Sequence, residues 1–171
     1  MAYTYSKIAT YTVGSGGVAS IDFINIPQTY TDLIVKFSLR DSSNTGDVWD
    51  WLDLTFNSNT SNYSARMVYG TGSATGSVSS TSQIRYAYYV ASTSTASTFG
   101  NGEIYIPNYT GSNYKSISSD TVSENNATAA IATLQAGLWS NSSAINSISL
   151  KARIGFAQYS TAHLYGVKAE L

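Results

Sequence analysis

The chain has 171 residues, 43% of them hydrophobic and 13% aromatic, which is enough for one domain with a sizeable core and excludes wholesale disorder. Charged residues are only 11% against a usual share of about 25%, and the nine Lys and Arg are scattered singly, so the basic stripe of a nucleic-acid binder is excluded. Cysteine is absent, which excludes disulfides and thiolate metal sites.

The opening M-A-Y-T-Y-S-K-I has neither the basic n-region nor the apolar core of a signal peptide. No apolar run approaches the roughly 18 residues of a transmembrane helix. The expectation is a protein folded in a cytoplasm, with no membrane partner and no nucleic-acid partner.

Taken in order, Tyr5 to Val13 alternates, with Lys7, Ala9, Tyr11 and Val13 on one side. Gly14-Ser15-Gly16-Gly17 tolerates positive φ and predicts a hairpin turn into a returning strand from Val18 to Ile26, closed by Pro27. Leu33, Val35, Phe37 and Leu39 against Ile34, Lys36, Ser38 and Arg40 make the cleanest strand. Asp41 to Asp47 reads as a polar loop. In the strand from Trp49 to Asn57, Leu52, Leu54 and Phe56 share one face, and Trp49, Trp51, Asp53 and Thr55 the other.

Tyr63 to Tyr69 predicts a further strand. Gly70 to Ser82 is low in complexity and reads as a linker. Ile84 to Val90 is strand-like, Ala91 to Thr98 is a Ser/Thr-rich loop, and Glu103 to Ile106 is a short strand ended by Pro107. Tyr114 to Val122 is polar enough to read as an edge strand. Ala127 to Trp139 has the alanines of a helix but no i, i+3, i+4 stripe, and its alternation favours a strand.

Ile145 to Lys168 reads as two strands joined by a turn. Ile148, Leu150, Ala152 and Ile154 share one face, Gly155 breaks the run, and His163, Tyr165 and Val167 resume it. This hairpin is expected to form the middle of the domain. The whole pattern predicts an all-β chain, a single antiparallel β-sandwich domain over residues 1–171, jelly-roll-like, with about nine or ten strands.

No catalytic signature appears. His163 is the only histidine and no G-x-S-x-G elbow accompanies it, so it reads as a strand residue. Asp41, Asp47, Asp50 and Asp53 are the densest carboxylates. The run Asp41-Ser42-Ser43-Asn44-Thr45-Gly46 begins like a calcium loop, but its twelfth position is Leu52, so the pattern fails. The expected sets of catalytic, metal and cofactor-binding residues are empty. Trp49 and Trp51 could stack on sugar rings or anchor a protein if exposed, and Tyr3, Tyr5, Tyr69, Tyr88 and Tyr109 join them as candidate interaction residues.

Three stretches carry a resemblance: Ser160 to Val167 preceded by Ile145 to Leu150; Ile26 to Val35; and Leu54-Thr55-Phe56-Asn57 with Asn62-Tyr63-Ser64. They resemble segments of small virion proteins of tailed bacteriophages. That resemblance implies a non-enzymatic β-sandwich on the particle: a head decoration (cement) protein bound to the major capsid protein or other virion subunits, or part of a tail fibre or spike that recognises a host glycan. It also implies a capsid-surface location and a homo-oligomer, trimers being common there. The loops Gly70 to Ser82 and Ala91 to Gly100 and both termini are the expected contact surfaces.

Overall fold

In a computed structural model, which describes residues 3–42, 46–125 and 129–169 (backbone only for Tyr3, Tyr86 and Ala169), the alternating stretches pair into two antiparallel sheets and no helix is present among the described residues. The described residues form twelve strands rather than nine or ten: β1 Tyr3–Thr12, β2 Val18–Phe23, β3 Asp32–Leu39, β4 Trp49–Phe56, β5 Tyr63–Gly70, β6 Thr75–Ser80, β7 Ile84–Val90, β8 Gly100–Ile106, β9 Lys115–Glu124, β10 Ala130–Trp139, β11 Ile148–Phe156 and β12 Thr161–Ala169. Eight form one sheet in the order β1-β12-β3-β8-β9-β10-β5-β6, and four form the other in the order β2-β11-β4-β7.

The sheets face each other through the apolar half of each alternation. Leu33, Val35, Phe37 and Leu39 of β3 and Ala162 and Leu164 of β12 share a core with Leu52, Leu54 and Phe56 of β4 and Ile148, Leu150 and Ala152 of β11. Full burial of one such Leu, Ile or Phe side chain contributes about 1.5–3 kcal/mol. Phe56, Tyr63 and Trp139 form an aromatic cluster with ring centroids 5.5–6.3 Å apart. At Gly166 a Cβ would strike the Tyr30 ring, so the missing side chain is what lets that ring lie on β12.

Two hairpins lengthen the larger sheet. Without β9-β10 and β5-β6, four strands remain on each side, β1-β12-β3-β8 facing β2-β11-β4-β7. The inward side of this extension is partly polar. Thr121 and Thr133 share a hydrogen bond of 2.6 Å, and Gln135 donates through Nε2 to the Arg85 carbonyl of β7. Small hydroxyls satisfied by one another can sit in a core that bare ones could not.

Four further expectations, about strand pairing, need correction. Gly70 to Ser82 is not a linker, because β6 runs within it and pairs with β5 from Ala65↔Ser80 to Gly70↔Thr75. The Tyr69 ring lies over Gly76, supplying the cover that the glycine lacks. β9 is no edge strand, since it pairs with both β8 and β10. The glycine turn after β1 does bend, with Gly17 N donating to Gly14 O at 3.3 Å, but β1 pairs with β12 and β2 with β11, so no hairpin forms. Likewise β11 and β12 lie in different sheets, and residues 157–160 arch between them. Alternation reports which face a residue takes and not which strand lies beside it.

Candidate functional site

The outward face of the four-stranded sheet gathers the tryptophans. β4 alternates strictly, so Leu52, Leu54 and Phe56 enter the core while Trp49 and Trp51 stay half-buried outside. Trp51 pairs across the ladder with Tyr88 of β7, which is also half-buried. The Arg153 guanidinium of β11 stacks 4.5 Å from the Trp51 ring centre, and that of Arg85 lies 5.6 Å away. Each arginine is also tied to a carboxylate: Arg85 to both Asp53 oxygens at 2.5 and 2.8 Å, and Arg153 to Asp47 at 2.9 Å. The result is an aromatic platform with a preset charged rim, in which cation–π contact holds the indole in place.

The carboxylates divide in two. Asp47 and Asp53 serve those ion pairs. Asp41 and Asp50 are buried beneath the sheet end, beside the buried Tyr89. Burial pushes the Asp50 carboxyl up to about 7, and hydrogen bonding with Asp41 adds to it, against the Trp51 N–H bond and Arg153, 3.8 Å away, which favour the charged form. Burial also pushes the Tyr89 phenol well up. A carboxyl pair closed in this way can hold a proton but cannot meet a substrate without opening the sandwich. Among the described residues no group of three or more His, Cys, Asp or Glu is arranged to hold a metal ion. Asn44 and its two neighbours, the middle of the calcium-like run, lie outside the described residues. His163 sits on β12, with Nδ1 3.1 Å from Thr10 Oγ1.

The remaining candidate tyrosines are dispersed. Tyr5 is exposed on β1, on the outward face of the eight-stranded sheet. Tyr69 lies over Gly76 at the far end of that sheet. Tyr109 is 0% exposed and its hydroxyl donates to Pro27 O, so it is a core residue and no contact residue. The side chain of Tyr3 lies outside the described residues. The Ala91 to Thr98 loop is fastened to the body by Arg40, whose guanidinium donates to the carbonyls of Ser92, Ser94, Thr95 and Thr98 at 2.9–3.0 Å.

Sequence reasoning missed the outward apolar face of the extension. Leu134 and Val68 are opposite one another on β10 and β5 and are 60% and 55% exposed, with Val122 nearby on β9. Shallow grooves run along this pair beside β6. Once β9 and β10 are taken as paired strands, their outward Leu and Val could have been read from alternation. No family model matches the chain, and neither curated proteins nor solved structures match it.

Proposed function

We propose that this chain is a virion structural protein, a capsid decoration (cement) subunit that binds the head shell of a tailed bacteriophage and stabilises it without catalysis. The observation that carries the reading is the outward face of the eight-stranded sheet. Two inserted hairpins widen a sheet that would otherwise have four strands, and Val68, Val122 and Leu134 on them face outward. A subunit that bridges shell proteins needs breadth rather than depth. Interfaces of stable complexes bury about 800 Å² per partner, and a broad sheet face can supply that. The fold assigned with this reading is a jelly roll. Its support is the strand order β1-β12-β3-β8 opposite β2-β11-β4-β7, in which the chain crosses between sheets at every step but β4 to β7, as two Greek keys allow. The partners assigned are the major capsid protein and further copies of this chain, at the capsid surface.

The test is shell stability. Particles lacking the protein should rupture at lower temperature or pressure than complete ones, and added purified protein should restore them. Particles indifferent to its removal would refute the reading.

The Trp51 platform favours a second reading, a tail-fibre or spike domain that binds a host glycan. An aromatic face ringed by Arg85, Arg153 and Asp53 offers a stacking surface with hydrogen-bond donors and acceptors at its rim. On a glycan array the isolated protein should then bind a defined sugar, and Trp51→Ala should weaken binding by about tenfold or more. An array without signal removes this reading and leaves the first intact.

A further inference from the structure

The edge of a β-sheet is a row of unpaired N–H and C=O groups, and proteins guard such edges with charge, proline, bulges or cover. The two sheets have four edges: β1 and β6 in the larger, β2 and β7 in the smaller. Three are guarded. β1 carries the exposed Lys7 and shifts register between Lys7 and Ala9. β2 carries the exposed Asp22 and loses regular pairing with β11 between Lys151 and Phe156. β7 has its Arg85 carbonyl bonded by the Gln135 side chain and its Val90 carbonyl by the Asp41 N–H at 2.8 Å.

β6 lacks charge, proline and a register shift, and it is covered at its end, where Arg66 donates to Ser80 O at 3.2 Å. Its residues T-G-S-V-S-S include no charge and no proline, and they pair with β5 without a register shift. Each is exposed or half-buried, and β5 is the strand's single partner among the described residues. The strand is nevertheless held in shape. The Tyr69 ring covers Gly76, and the 71–74 turn is closed by Thr71 N donating to Ala74 O at 2.9 Å. Arg66 on β5, the cation beside it, bends back to the carbonyls of Ala65 and Ser80 at 2.8 and 3.2 Å.

We propose that β6 is a self-association edge, to which a second copy of this chain adds its own β6 antiparallel across a twofold axis. An antiparallel strand edge meets itself under twofold rotation, so one surface serves both partners. An axis normal to the sheet keeps outward faces outward, so the pairing centres on Ser77 or on Val78. The uncharged strand brings no like charges opposite one another, the penalty that protects ordinary edges. It also offers nothing to a partner recognised by charge. Pairing joins the two large sheets and places the Val68–Leu134 pairs of both copies on one continuous outward face. A strand of this length buries less than a standard interface, so the dimer dissociates on dilution. The inference stands apart from the particle reading, because purified protein alone tests it.

The experiment is sedimentation equilibrium of the full chain over a dilution series, for wild type and for Ser77→Lys combined with Ser79→Lys. Both serines are exposed on the outward side, so the double variant should keep the wild-type circular dichroism and melting temperature. Wild type should reach twice the monomer mass at high concentration, and the double variant should remain at monomer mass. The absence of native cysteine allows a second arm. Ser77→Cys or Val78→Cys should give a disulfide-linked dimer on mild oxidation, and Thr12→Cys on β1 should not. If the lysine variant fails to fold, the cysteine arm decides. A wild type that stays monomeric, a trimer, an oligomer indifferent to the lysines, or no cross-link at either position would overturn the proposal.

Discussion

At the scale of single residues, the most consequential placement is that of a carboxyl group. Asp50 stands next to Trp49 and Trp51 in sequence, and strict alternation turns it inward while they face out. Alternation alone therefore indicates its burial; its closeness to Asp41 and Tyr89 is decided by packing. Its pKa in the folded protein is raised from 3.8 to about 7, chiefly by burial. Between those values the folded state keeps a proton that the unfolded chain has released, so stability falls as pH rises through this window and levels off above it. Asp50→Asn keeps an acceptor for the Trp51 N–H and cannot ionise. It should flatten the pH dependence and make the protein more stable than wild type at pH 8, by roughly 1–3 kcal/mol, since each tenfold change in proton affinity is worth about 1.36 kcal/mol. Urea midpoints at pH 5 and pH 8 measure this, and parallel pH profiles for the two proteins would refute it. Tyr63 gives a second prediction. Its hydroxyl accepts from the Phe56 N–H at 2.8 Å inside the core. Tyr63→Phe strands that donor and should cost about 1–3 kcal/mol in the same measurement.

At the scale of elements, the faces of strands were legible and their neighbours were not. β3 and β4 have the inward and outward sides that their alternation predicts, whereas in β10 the apolar side of Ala132, Leu134 and Ala136 faces out and Ile131, Thr133 and Gln135 face in. β6 was missed because one glycine and three serines carry no alternation of polarity to read; its order comes from Tyr69 of the neighbouring strand. In β11 the alternation is broken from within: Ile154, expected on the core face, is exposed where pairing with β2 shifts register. The loop Ala91 to Thr98 reads as free chain, yet a side chain distant in sequence fastens it. Arg40→Ala removes those bonds to four carbonyls. Backbone amides of residues 92–98 should then exchange with deuterium at least about tenfold faster while strand amides are unchanged, since local opening needs no global unfolding. Uniform acceleration across the chain would contradict this.

At the scale of the whole molecule, the first strand is held by the last. β12 lies between β1 and β3, so the larger sheet closes on β1 when β12 has arrived. Deleting residues 161–171 should therefore abolish cooperative melting rather than trim an edge, and near-ultraviolet circular dichroism during heating tests that. Refolding of the full chain should take milliseconds to seconds, as expected when distant strands must meet before contacts are gained. The expected β-sandwich-like, helix-free character follows from the sequence, because side chains of period two with few charges can bury themselves only between sheets. The absence of disulfides was equally fixed there, cysteine being absent. Which strands are neighbours, which edge is left unguarded and how two aspartates come to share a buried site were decided by the tertiary structure. Those relations join residues far apart along the chain, and local periodicity carries no information about distance through space.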